Sequence, residues 1–198
     1  MSTQIEKIKS KLHELASKDK NTVIFGASKH KYQLNSIRTE AQVSAFEAKH
    51  KIKLPTGYRA FIKEIGDGGA GPYYGLESLE TSLYNDLDYK DDNELIDPSI
   101  PFPHTEAWNM EMPDTDSDEY DELYFDKKLM GGVLRLCNYG CGVSMNLVVT
   151  GSEAGNMWVD DRCNENGIFP DQYFGNEEKI DFLTWYELWL DESIKEVK

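Results

Sequence analysis

Apolar residues recur with helical spacing at both ends of this chain and gather into short β-like runs between them. Ile5, Ile8, Leu12 and Leu15, with lysines interleaved, predict an amphipathic helix over 3–17. Val23-Ile24-Phe25-Gly26 predicts a short strand or a buried connector, and 27–38 reads as loop. The stretch from Thr39 to Leu76 organises the rest. Thr39 is placed to N-cap a helix, and Gln42 three residues on completes a capping box. Val43 and Phe46 then share one face. Leu54-Pro55 breaks that helix, and Pro55 suits the first turn of the next, where a missing N–H costs nothing. Tyr58, Phe61, Ile62 and Ile65 form its apolar stripe. Gly66 is expected to end it in a left-handed cap.

Beyond Gly75 the pattern changes. Leu76 and Leu79 predict a strand or turn on a sheet, and Leu83, Tyr84 and Leu87 a short helix. Pro98, Pro101, Pro103 and Pro113 forbid a long helix between 86 and 126. Residues 99–108 read as extended, with Phe102 and Trp108 to bury, and 109–128 as loop with one short helix at 119–125. Residues 132–137 and 143–149 are rich in strand formers, and Asn138 to Gly142 supply turn chemistry, so they predict a hairpin. Gly151 to Gly155 make another turn, 156–160 a third strand, and 161–177 a loop. Phe182, Trp185, Tyr186, Trp189 and Leu190 recur at helical spacing and predict a terminal helix with a bulky apolar face. Short strands joined by glycine turns imply a mainly antiparallel sheet. No internal repeat is visible.

The chain has 198 residues, enough for one domain with a real core. No run approaches the ~18 apolar residues of a membrane span, and the charged N-terminus lacks the apolar core of a secretory signal. A cytoplasmic protein is expected, with no membrane partner. Cys137, Cys141 and Cys163 are an odd number, which argues against a disulfide framework; Cys137 and Cys141, spaced C-x3-C, lack two further zinc ligands nearby and are expected to be small core residues. The net charge is −15, and it is not spread evenly. Residues 1–76 carry 13 basic and 7 acidic groups, residues 77–126 carry 1 and 17, and residues 127–198 carry 7 and 12. So acidic a middle segment repels nucleic acid and favours a basic partner.

Candidate chemistry is sparse. Gly66, Gly68 and Gly71 match a dinucleotide motif by letter, but that motif needs a strand before it and a helix after it, and here a helix precedes. Asp114, Asp116 and Asp118 open like a calcium loop, but Glu119 stands where glycine is needed and Phe125 where glutamate is needed. Of four histidines, His13, His30 and His50 lie on charged segments and are expected to be exposed; only His104, near Glu106 and Trp108, has site character. No nucleophile elbow or zinc motif occurs, so no catalytic residue, metal or cofactor is expected. A metal-dependent hydrolase built on His104 is the weakest of three readings.

An interface is the better reading. Asp86, Asp88, Asp91, Asp92, Asp114, Asp116, Asp118, Glu119, Asp121 and Glu122 would supply an acidic field, and Tyr73, Tyr74, Tyr89 and Tyr120 contacts within it. Trp158 and Trp185 suit a core better than a surface.

Thr39, Glu40, Phe46, Glu47, Leu54, Pro55, Tyr58, Phe61, Ile62, Gly68, Gly69, Gly75 and Leu76 stand in an order that resembles the SMI1/KNR4 (SUKH) family. The strand–turn–strand of 133–158, with Gly155 to Trp158, and the closing FLTWYELWLDESI resemble the family's later part. The resemblance covers roughly 38–76 and 132–194; 1–37 would be a helical extension and 77–131 an acidic insert-like segment. It implies a single α+β (α/β) domain over 1–198, a mainly antiparallel mixed sheet flanked by N-terminal helices and a C-terminal helix. Pro55, Tyr58, Phe61, Gly68, Gly69, Gly155, Trp158 and Trp185 would be structural. It also implies a non-enzymatic protein-binding module. Many bacterial members are immunity proteins that neutralise a cognate toxin, often a nuclease, in the cytoplasm. Fungal relatives are regulators linked to the cell wall, so the alternative is a regulatory scaffold without a toxin.

Overall fold

A computed structural model describes residues 2–88, 94–111 and 117–197. Helices α1 (Ser2–Lys18), α2 (Ala27–His30), α3 (Glu40–His50) and α4 (Thr56–Glu64) come first. Helix α5 (Asp118–Tyr124) precedes strands β1 (Val133–Gly140), β2 (Val143–Val148), β3 (Met157–Asp161) and β4 (Gly167–Pro170), and α6 (Phe182–Glu196) closes the chain. The four strands form one sheet in sequence order, antiparallel throughout. The fold is α+β.

Local chemistry explains the helices. Gln42 N–H donates to Thr39 Oγ1 at 3.3 Å, and Thr39 N–H donates to Gln42 Oε1 at 2.8 Å, so the capping box forms. Pro55 sits one residue earlier than expected, as the N-cap of α4. Gly66 does not take a left-handed cap; α4 ends at Ile65 with φ −116°. Its glycine is needed for space, since a Cβ there would lie 2.9 Å from the Asn35 carbonyl oxygen. The positive φ falls instead on Gly68 and Gly69, at 91° and 96°.

The sheet has two differently used faces. Leu134, Leu136, Met145, Leu147, Met157 and Val159 join the main core with the helices. The α1 stripe is buried there, and Tyr58 and Phe61 meet Phe182 edge-on with centroids 4.8 and 5.0 Å apart. Trp185 is fully buried and its indole N–H donates to Asp171 Oδ2 at 3.0 Å. Lys11 ties α1 to α6 through Glu187 and Asp191. On the opposite face Val133, Val148, Trp158 and Ile168 pack with Ile96, Phe102 and Met130 from the acidic segment and its flank.

Three expectations are corrected. Residues 27–30 are a helical turn, not loop. Residues 167–170, read as loop, are β4: only four residues long, it is held by pairing with β3 through Trp158, Val159, Asp160 and Asp161. Strand β1 runs on through Gly140, leaving a two-residue tip, Cys141 (φ 53°) and Gly142 (φ 77°), the double positive φ of a type I′ turn.

Candidate functional site

The Cys141–Gly142 tip separates two surfaces. One is aromatic. Phe25, Tyr74, Tyr139 and Tyr173 are each between 37% and 53% exposed, unusual for rings in mutual contact. Phe25 lies 5.3 Å from Tyr74 and 6.0 Å from Tyr139, and Tyr139 lies 5.7 Å from Tyr173. Tyr73 sits half-buried beneath them, 4.5 Å from Tyr139. Glycines make the approach possible. A Cβ on Gly26 (φ 77°) would fall 1.7 Å from the Tyr73 carbonyl oxygen, and one on Gly140 would press on the Tyr74 ring. The 72–75 turn closes through Gly75 N–H to Pro72 O at 2.9 Å, with Tyr73 at φ 51°. Burial, with Asp161 and Asp171 nearby, pushes the Tyr173 phenol up to about 12, and the Lys29 ammonium lies over the Tyr74 ring, 5.1 Å from its centroid.

The other surface is a polar cleft of about 210 Å³ on the second face of the sheet. Exposed Asp86 and Asp88 stand at its mouth. Asp88 N–H donates to Asp86 Oδ1 at 2.7 Å, and Asn138 Nδ2 donates to Asp88 Oδ1 at 2.5 Å, fastening the acidic loop beside Tyr139. Helix α5 borders the cleft through exposed Phe125. Ser117 caps α5, and Asp118, Glu119 and Asp121 occupy its first turn, where carboxylates favour the helix dipole. Asp118, Glu119, Asp121 and Glu122 are exposed; Tyr120 stacks on Tyr124 at 5.2 Å and is half-buried.

The cleft floor is ionic. Asp160 accepts from Arg162 Nε at 2.7 Å and Nη2 at 2.8 Å, and from Arg135 Nη2 at 3.0 Å. All three residues are nearly fully buried. Burial raises the Asp160 carboxyl, but hydrogen bonds and charge from Arg162 and Arg135 outweigh it and hold the group at about 2.

Of the predicted contact residues, Tyr73 and Tyr74 join the aromatic patch, Asp86 and Asp88 the cleft mouth, and Asp118 to Glu122 the adjoining helix. Tyr89, Asp91, Asp92, Asp114 and Asp116 lie outside the described residues, and with them most of the calcium-like loop. Phe25, Tyr139, Tyr173, Arg135, Asp160 and Arg162 were missed. A signal existed for one: Arg135 interrupts the apolar run Val-Leu-Arg-Leu-Cys of β1 at a position with its own sheet face.

The histidine expectations change. His104 is buried among Phe102, Trp108 and Trp158, and its Nε2 donates to the Leu129 carbonyl at 3.0 Å; burial lowers its pKa. It is part of a packed core, which ends its site character. His30, expected exposed, is half-buried against Tyr32 and Trp189, and burial holds it down to about 4. His50 is half-buried on Phe46; His13 is exposed. Cys137 is buried as expected; Cys141, expected in the core, is exposed at the hairpin tip, and Cys163 is exposed at the cleft edge. Trp158 and Trp185 are wholly buried. Among the described residues no three His, Cys, Asp or Glu side chains converge as a metal site requires, and no helix is long and apolar enough to cross a membrane.

The α+β scaffold carries exposed rings beside a carboxylate-bearing loop, a surface that suits a protein-interaction module. The chain belongs to the SMI1/KNR4 family (SUKH-1), whose model matches residues 38–189. No curated protein and no solved structure matches it.

Proposed function

We propose that this protein is an immunity protein that binds and neutralises a cognate toxin with a basic surface, such as a nuclease. The observation that carries this reading is the contiguous exposed patch of Phe25, Tyr74, Tyr139 and Tyr173, fastened through Asn138 to the Asp86–Asp88 loop. Aromatic rings supply affinity at an interface, and exposed carboxylates beside them steer a basic partner. The net charge of −15 adds long-range attraction. Under this reading the partner lies across the hairpin tip, with the exposed carboxylates of α5 on its rim.

The test is association with the toxin encoded beside this gene, measured at about 50 and about 500 mM salt, which spans strong and weak screening. The association rate should fall steeply with salt while dissociation changes little. A salt-independent rate would remove the electrostatic half of the reading. Retention of a housekeeping protein, with no toxin recognised, would favour the regulatory scaffold instead.

A further inference from the structure

We propose that the cleft behind the hairpin tip is a binding site for a small zwitterionic carboxylate of the size of a free amino acid, its carboxylate held at Arg135 and its ammonium at Asp86 and Asp88.

Size sets the first bound. A volume of about 210 Å³ is far above the ~10–15 Å³ that a single water needs, yet falls short of the ~300 Å³ at which drug-sized pockets begin. The guest is therefore larger than a solvent ion and smaller than a nucleotide. Its walls include Phe125, Gly142 and Cys163. A Cβ on Gly142 would lie 2.5 Å from Cys163 Sγ, so the glycine lets hairpin and β3–β4 connection close one side.

Charge sets the orientation. Arg162 is spent: Nε and Nη2 go to Asp160, and Nη1 donates to the Tyr124 carbonyl at 2.7 Å. Arg135 is not. Nη1 donates to Ser144 Oγ and Nη2 pairs with Asp160, while its Nε is buried without an acceptor. Among the described residues two guanidiniums thus share one carboxylate, leaving one positive charge in excess under the cleft. Buried unbalanced charge is costly, and an incoming anion relieves it. The mouth has the opposite sign, since Asp86 and Asp88 are both exposed. At equal distance, a charge felt through a medium of effective dielectric ~20 acts about four times more strongly than through water. The excess guanidinium therefore governs the floor, and the hydrated carboxylates govern only the entrance.

A simple anion fits poorly. The charged residues of the lining, Arg135 and Arg162 against Asp86, Asp88 and Asp160, sum to −1, and the chain carries −15. A simple cation fits the mouth but meets Arg135 below. A guest carrying both charges answers both ends, entering carboxylate first.

The test is a titration of the full chain followed by amide NMR shifts at Gly142, Ser144 and Cys163. Glycine, L-glutamine and L-arginine are the probes, with L-glutaminamide lacking the carboxylate, N-acetyl-L-glutamine lacking the ammonium, and inorganic phosphate as a bare anion. At least one free amino acid should give saturable shifts, and both truncated compounds should bind about tenfold more weakly, or worse. The Asp86→Asn/Asp88→Asn variant keeps an oxygen acceptor for the Asp88 N–H and for Asn138 Nδ2 but removes both charges, and it should weaken binding similarly. Arg135→Gln should abolish it; if that variant does not fold, the truncated probes and the surface variant decide. The proposal is overturned if no free amino acid saturates, if glutaminamide equals glutamine, or if N-acetyl-glutamine or phosphate does. None of these outcomes bears on toxin binding, which is read at the aromatic patch.

Discussion

Asp160 shows how one side chain carries consequences far beyond its size. Two arginines hold its carboxyl at about 2, below the ordinary value near 4. A depressed folded-state value means stability that is present above about pH 4 and lost as pH falls through about 2; one such group contributes on the order of 2 kcal/mol. Asp160→Asn should remove that part of the acid dependence, seen as a flatter stability profile between about pH 4 and 2 in urea titrations. At neutral pH the same change should cost about 3–5 kcal/mol, because it leaves two buried guanidiniums without their carboxylate. An unchanged urea midpoint would mean that the ionic floor does not matter to folding. The opposite lesson comes from Gly66, whose conformation was misjudged although its identity as a terminator was plain. Its constraint is the Asn35 carbonyl pressing on it, a neighbour that local sequence rules do not see.

At the scale of elements, the helices were legible and the sheet only partly so. Capping and apolar spacing act within a turn or two, so α1, α3, α4 and α6 follow from residues close in sequence. Thr39→Ala should destabilise the chain by about 1 kcal/mol, read as a lower denaturation midpoint with an unchanged slope. If the midpoint does not move, the capping box is ornamental. For α6, Trp185→Phe removes the donor to Asp171, a carboxylate that is fully buried, and also trims the buried indole to a phenyl ring. A loss of about 1–3 kcal/mol is expected from the orphaned acceptor, and a loss below 0.5 kcal/mol, roughly the level of a neutral surface change, would count against that hydrogen bond. Strand β4 was invisible because four residues carry too little pattern of their own. Pairing with β3 makes it a strand.

Across the whole molecule, the aromatic patch makes the sharpest claim. Under the proposed reading, Tyr139→Ala should weaken toxin binding by about tenfold or more, and because the ring also packs on Phe25, Tyr73 and Tyr173 it should cost about 1 kcal/mol or more of stability. Calorimetry on the variant and the neighbouring-gene toxin would check this, and unaltered affinity would displace the patch from the interface. Sequence by itself determined the family, the α+β class, the principal helices and hairpin, and the concentration of acid in the middle of the chain. These rest on short-range rules or on counting. Tertiary structure alone decided that Phe25, from before the second helix, meets Tyr139 at the tip of the first hairpin, and that Arg135, Asp160 and Arg162 share one floor. Such meetings depend on strand register and on close backbone contacts at Gly26 and Gly142, and those are settled only when distant segments close on one another and exclude water between them.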